Sequence, residues 1–323
     1  MDAIGITIVK TVTIYLIVTT IVLLYSKMKR RLLDCYSFND AHDITRGLAF
    51  EIRKFLISDY SAVHLLIGLL SLISVLLSFI YYPFVDSVLV GGKLYFLNLF
   101  TINYAPQFSL IFLAAAALLN SLANSITDEY ALKKSNIIKY QYFTIVLILL
   151  TMSLLGLFLS LNGSTYVDLV SNQRTLSTYN IVTRPLNALV TFICFFALIS
   201  KSDEEEKESI IRIPNKTSNI SLLDFLFGNL FKISLALNFC YIFLGGHSIL
   251  PPLGYLSRFG EWFHCLSQII SLVIKAGIIL YLIDWMGIRF KNIKEESLMN
   301  MGMKYFIPAL ILNEVIILVG RMI

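Results

Sequence analysis

The chain has 323 residues, of which 57% are hydrophobic and only 15% charged, with a mean hydropathy of +0.76. A water-soluble domain carries about 25% charged residues, so the composition excludes an ordinary soluble enzyme and predicts an all-α polytopic membrane protein, a single membrane domain over residues 1–323. The net charge of +5 is carried by segments between apolar runs, so it reports orientation in a bilayer and not binding to nucleic acid.

A spanning helix needs roughly 20 apolar residues. Eight such segments follow one another, at 3–25, 61–82, 108–123, 142–161, 181–200, 221–244, 264–283 and 305–320. The third is short and is predicted to begin nearer Tyr104. No A-x-A type cleavage motif follows the first, which therefore reads as a retained span and not a signal peptide. Between the first and second lies an inner-side loop, 26–60. From Ile44 to Ile57, apolar Leu48, Phe50, Ile52, Phe55 and Leu56 are set against Arg46, Glu51, Arg53 and Lys54. This stretch is too short and too charged to cross a bilayer. It predicts an amphipathic helix lying on the inner interface, its cations snorkelling to the headgroups. Residues 83–105, with several aromatics and Gly91-Gly92, read as an irregular outer loop.

Charge alternates from loop to loop. Segments 26–60, 124–141, 201–220 and 284–304 together hold 18 Lys and Arg, whereas 83–107, 162–185 and 245–263 hold 4. The positive-inside rule puts the first set on the cytoplasmic or matrix side and both termini on the outer, periplasmic or intermembrane side. The inner loop 201–220 contains KSDEEEKESIIRIPNK, whose crowded carboxylates run against the basic trend of that side. Carboxylates so close together hinder one another's ionisation, which suits proton exchange.

Few ionisable residues fall within or at the edges of the apolar segments, chiefly Lys10, His64, Asp224, Lys232, Lys275, Asp284 and Glu314. Asp224, Asp284 and Glu314 lie near predicted helix ends, where water reaches them. Lys232 and Lys275 lie deeper and require partners on other helices, on other subunits or in water. Cys35, Cys194, Cys240 and Cys265 show no metal-ligand spacing and read as small apolar residues.

The tail carries a more specific pattern. From Lys275, the segment resembles the close of the respiratory complex I membrane subunit that abuts the hydrophilic arm (the H subunit of bacteria, subunit 1 of mitochondria). That family ends K-x9-W-V-R-x-T-x-P-R-x-R-x-D-Q-L-M-x-x-G-W-K-x-x-x-P. Lys275, Trp285, Lys294, Glu296, Leu298, Met299, Gly302, Lys304 and Pro308 fall on it without a gap, with Lys for Arg and Glu for Asp. YVDLVSNQ from Tyr166 resembles L-x-D-I-V-x-x-Q. YNIVTRPLNALVTF from Tyr179 is similar to W-N-I-x-x-Q-P-L-G-x-L-x-F, and FLGG from Phe243 to F-x-G-G. YALKKSNIIKYQ from Tyr130 and RGLAFEIRKFL from Arg46 match more loosely. The departures bear on mechanism. The family's A-E-T-N-R-x-P-F-D-L loop has become ALISKSDEEEKESI, with Leu198 for the first Glu and Lys201 for the Arg. Two further intramembrane glutamates of the pattern fall near Val146 and Gly228.

The resemblance implies a membrane subunit of NADH:quinone oxidoreductase in an energy-transducing membrane, mitochondrial inner or bacterial plasma. It would form part of the quinone cavity beside peripheral iron–sulfur and quinone-site subunits, and would contact small and antiporter-like membrane subunits. It would bind no cofactor or metal of its own and contribute no catalytic residue; quinone would be substrate of the complex. Candidate cavity and proton-coupling residues are Glu51, Arg53 and Lys54 on the amphipathic helix, Lys201, Glu204, Glu205, Glu206 and Glu208 in the acidic loop, Lys275, and Lys294 and Glu296 in the 284–304 loop. The missing glutamates imply a degenerate proton path. The other readings are the homologous anchor of a membrane-bound hydrogenase or antiporter-like complex, a scaffold without chemistry, and an independent solute transporter. The last lacks the Gly/Pro-broken helix pairs expected of a midplane site.

Overall fold

The computed structural model describes residues 62–83, 88–90, 93–95, 103–126, 133–160, 165–173, 175–211, 222–251, 253–255, 261–289, 297 and 300–322. The first predicted span and the amphipathic stretch 44–57 lie outside them. The described residues are mostly helical. In chain order they form α1 (Ala62–Phe79), the strands β1 (Val88–Val90) and β2 (Lys93–Tyr95), α2 (Ala105–Ile126) and α3 (Lys133–Ser160). Next come α4 (Tyr166–Ser171), a 3₁₀ turn (Leu176–Thr178), α5 (Asn180–Thr183), α6 (Pro185–Ile211) and α7 (Leu222–Phe243). The chain closes with α8 (Glu261–Arg289), a π-helical turn (Gly302–Phe306) and α9 (Ile307–Met322).

Helices thus occupy the last seven predicted apolar segments, with three differences. The loop after α1 is not wholly irregular, because Val88–Val90 and Lys93–Tyr95 pair antiparallel, Val88 opposite Tyr95; β-branched and aromatic residues flanking Gly91-Gly92 favour such a ribbon. The fifth segment begins with the separate turn α5, since Pro185 has no N–H to continue a helix from Arg184 and restarts it instead. The acidic stretch predicted as a loop is helical as far as Ile211. Glu and Lys are good helix formers, so the rod continues for roughly 18 Å past Ile199, at about 1.5 Å per residue.

Among the described residues, two helical stretches are long and apolar enough to cross a membrane, Ala105–Leu122 and Phe263–Met286. Shorter apolar stretches are Leu66–Phe79, Tyr142–Leu155, Pro185–Ile199 and Phe227–Phe243. At the centre stands α7, every residue of which from 231 to 243 is buried. A helix that is apolar all round belongs inside a bundle, and α1, α2, α4, α6 and α8 pack around it. The outer helices reverse the arrangement that water selects. Leu66 and Ile73 of α1, Ile111 of α2, Ile278 of α8 and Ile316 of α9 point outward, whereas Ser78, Ser109, Asn187, Ser234, Asn238 and Ser271 are buried.

The last helix is joined to α3 through its π turn. Gly302 is buried there, and a Cβ added to it would lie 2.8 Å from Leu149 Cδ1. Pro308 follows and cannot donate a backbone hydrogen bond, which accounts for the wider turn just before it. Replacing Gly302 by Val is expected to destabilise the α3–α9 contact by about 1–3 kcal/mol through overpacking, read as a lower thermal unfolding midpoint of the detergent-solubilised protein.

Candidate functional site

Three stretches far apart in sequence meet at the C-terminal end of α7: the α4–α5 segment, the turn that follows α7, and the middle of α8. The first opens with α4, started by a reciprocal cap in which Thr165 N–H donates to Asp168 Oδ2 (2.8 Å) and Asp168 N–H to Thr165 Oγ1 (3.2 Å). This cap orients the helix so that Gln173, just past its end, points inward and is 1% exposed. Its Nε2 donates to the carbonyls of Leu169, Tyr241 and Ile242 at 3.1–3.2 Å. Its Oε1 accepts the N–H groups of Asn180 (3.1 Å) and Gly245 (3.2 Å). Asn180 Nδ2 donates to Ile242 O at 2.7 Å. The last carbonyls of a helix have no partner within it, so two carboxamides from the α4–α5 segment close the end of α7.

The chain leaves α7 through Gly245 and Gly246, at φ +69° and +50°. Gly246 N–H reaches back to Cys240 O at 2.8 Å, a left-handed cap that favours glycine. Space gives the same restriction, because a Cβ on Gly246 would collide with the Tyr241 ring.

Against this turn sits Lys275, 4% exposed in the middle of α8. Its Nζ donates to Ser248 O (2.8 Å), Gly246 O (3.0 Å), Ser248 Oγ (3.0 Å) and Tyr179 Oη (3.4 Å), and lies 5.2 Å from the Tyr179 ring centroid. Ser271, one turn earlier, donates to Ser248 O (2.8 Å) and accepts from Leu250 N–H (3.2 Å). The partners that the sequence required for this lysine are therefore backbone carbonyls, a serine and a tyrosine. Within that arrangement the ammonium is a clamp on irregular backbone, of the kind that survives at membrane depth only when buried in protein.

A second buried cluster adjoins the first. Tyr82 Oη lies 3.0 Å from Ser234 Oγ and 3.1 Å from Ser109 Oγ, and accepts from Asn238 Nδ2. Tyr166 donates to Asn238 Oδ1 at 2.6 Å. Burial pushes the Tyr166 phenol well above its usual range, which keeps it a neutral donor. Tyr241 stacks on Tyr82 with ring centroids 5.5 Å apart and donates to Pro83 O. Sequence reasoning missed this cluster, whose only signal is scattered Ser, Asn and Tyr within apolar runs.

No family model matches the chain. Among curated proteins, the NADH-quinone oxidoreductase H subunit of Anoxybacillus flavithermus is 25% identical over 169 residues, covering 51% of this chain and 47% of that protein. The corresponding protein of Salinibacter ruber is 24% identical over 170 residues, covering 50% and 49%. The chain is distantly related to the H subunit of NADH-quinone oxidoreductase. The matched region spans about half the length of these relatives.

The positions that the complex I pattern gives to intramembrane glutamates can now be placed. Val146 and Leu198 are buried apolar core residues and Gly228 is half-buried. Of the residues predicted for the cavity, Glu51, Arg53, Lys54, Lys294 and Glu296 lie outside the described residues. The backbone of Lys201, Glu204, Glu205, Glu206 and Glu208 is helical, on the C-terminal part of α6. Lys275 is not brought to them. Its partner Tyr179 precedes α6, and Lys201 is roughly 24 Å along that helix from Pro185, at about 1.5 Å per residue. Cys194, Cys240 and Cys265 are buried free thiols. Glu314 departs from its predicted place near a helix end: it lies in the interior of α9, midway between Ile307 and Met322.

Proposed function

We propose that this chain is a membrane subunit of an NADH:quinone oxidoreductase, crossing the bilayer with eight helices and both termini outside. Beyond the distant relation to the complex I family, one observation carries the reading. The motifs that resemble L-x-D-I-V-x-x-Q and W-N-I adjoin each other but are distant in sequence from F-x-G-G and from the lysine of the tail, yet Gln173, Asn180, Gly245 and Lys275 meet at one buried junction. Chance matches would have no reason to converge. Outward-facing apolar side chains on α1, α2, α8 and α9 support the placement in lipid.

In this reading the inner side does the coupling. Residues 44–57, the C-terminal part of α6 and the 284–304 segment wall a cavity that admits quinone. A neighbouring iron–sulfur subunit delivers two electrons, and the quinone takes up two protons to become quinol. Arg53, Lys54 and Lys201 line the wall. Glu204, Glu205, Glu206 and Glu208 sit on a helix continuous with the membrane part of α6, so a change of charge in the cavity acts on a stiff element and not on a slack loop. With apolar residues at 146 and 198, proton transfer through the middle of this subunit is weakened or lost.

Changing Glu204, Glu205 and Glu206 together to Gln in the assembled complex is expected to reduce NADH:quinone turnover several-fold while assembly persists. Unchanged turnover in a fully assembled complex favours a scaffold. Native mass spectrometry of the solubilised complex tests the reading as a whole, and recovery of the chain without iron–sulfur or other membrane subunits would sink it.

A further inference from the structure

A third polar cluster lies between α3, α6 and α9, away from the junction and from the proposed cavity. Glu314 Oε1 accepts from Asn187 Nδ2 at 2.9 Å. Asn187 is fully buried, donates also to Ser153 O (2.6 Å), and accepts from Asn313 Nδ2 (2.7 Å). Ser153 Oγ in turn lies 2.9 Å from Thr191 Oγ1. The Asn187 carboxamide is thereby committed on every side, and it holds the Glu314 carboxylate in one orientation while giving it a single hydrogen. An ionised carboxylate has room for about four.

Around Glu314, α9 presents an apolar outer face: Ile311, Leu312, Val315, Val319 and Ile316, the last 68% exposed. The carboxylate itself is half-buried at the edge of that face. Among the described residues no cation pairs with it. Arg184, one turn before Asn187, makes a contact of its own. Asn187 stands where the complex I pattern has glycine, so this contact is not one that the resemblance supplies. A charge within a bilayer is held by an opposite charge or a polar cavity, and a lipid-facing edge offers neither.

We propose that Glu314 is a docking point inside the membrane for a transmembrane helix of a different subunit, one that carries an Arg or Lys at the same depth. The apolar face of α9 packs against that helix, and the cation closes on the Glu314 oxygen that Asn187 leaves open. Asn187 and Asn313 are positioning residues that aim the carboxylate outward. The inference rests on the reading of the chain as a membrane subunit of a larger assembly.

The test places a photo-reactive p-benzoylphenylalanine at Ile316 in the full chain within its native membranes. Irradiation is expected to yield an adduct with one transmembrane peptide containing Arg or Lys within its apolar run. Glu314→Lys is expected to reduce assembled complex about tenfold or more, and changing the identified cation to Glu in the same cells to restore it. Asn187→Leu, with Glu314 intact, is expected to give an intermediate loss. Adducts with lipid alone, an adduct with this chain's own first apolar segment, which carries Lys10, an adduct helix lacking a cation, or full assembly of Glu314→Lys would overturn the proposal. If the chain is instead recovered alone from wild-type membranes, the subunit reading itself fails, which is a separate result.

Discussion

Lys275→Met is expected to destabilise the protein by about 2 kcal/mol while leaving the activity of whatever complex still assembles largely intact. The ammonium makes its contacts with Gly246 O, Ser248 O, Ser248 Oγ and Tyr179 Oη. Ser248 O keeps Ser271 as a donor when the lysine is removed, and hydroxyls can rotate to new partners. Gly246 O loses its donor outright in a site closed to water. An orphaned buried group costs about 1–3 kcal/mol, and the removal of a buried cation returns part of that. Lys275→Arg does not rescue, because a planar fork cannot converge on acceptors clustered around a single nitrogen. Thermal unfolding of the solubilised complex, with NADH:quinone turnover per assembled complex, separates two roles. A clamp lowers the unfolding midpoint and spares turnover, whereas a proton-coupling lysine spares the midpoint and abolishes turnover.

That contrast shows where the sequence was informative and where it was not. The depth of Lys275 was legible from its place in an apolar run, and so was its need for a partner. The partners were not, because half of them are backbone: carbonyls carry no sequence label, and the left-handed Gly245-Gly246 turn brings them within reach. Helix positions were legible from apolar length, and the start of α2 at Ala105 agrees with the shift towards Tyr104 read from the sequence. The continuation of α6 to Ile211 was missed because charge density reads as loop, although Glu and Lys favour helix. Glu314 was misjudged for a different reason. A carboxylate in an apolar run was assigned by its charge to an end that water reaches, although the span 305–320 already left six residues beyond it. The polar clusters came from residues that look incidental one at a time, such as Asn187, Ser109 and Asn238, which gain meaning only when helices bring them together.

Gln173→Leu should be the more damaging change at the same junction, at about 3–5 kcal/mol. The substitution keeps the volume roughly constant and removes a side chain that serves five backbone groups. Ile242 O retains Asn180 Nδ2. Leu169 O, Tyr241 O, Asn180 N–H and Gly245 N–H lose their side-chain partner in a site that is almost wholly buried, each at a cost of about 1–3 kcal/mol before local adjustment. Gln173→Glu decides whether hydrogen bonding or packing is responsible. Glutamate has the same shape and can still accept from Asn180 and Gly245, but its second oxygen would face the Tyr241 and Ile242 carbonyls with nothing to donate when ionised. A loss as large as that of the leucine variant, measured by thermal unfolding of the solubilised protein, assigns the stability to donation into the end of α7. A near-neutral glutamate variant would mean that the carboxamide nitrogen matters little and that the junction is held by packing around Tyr241 and Tyr179.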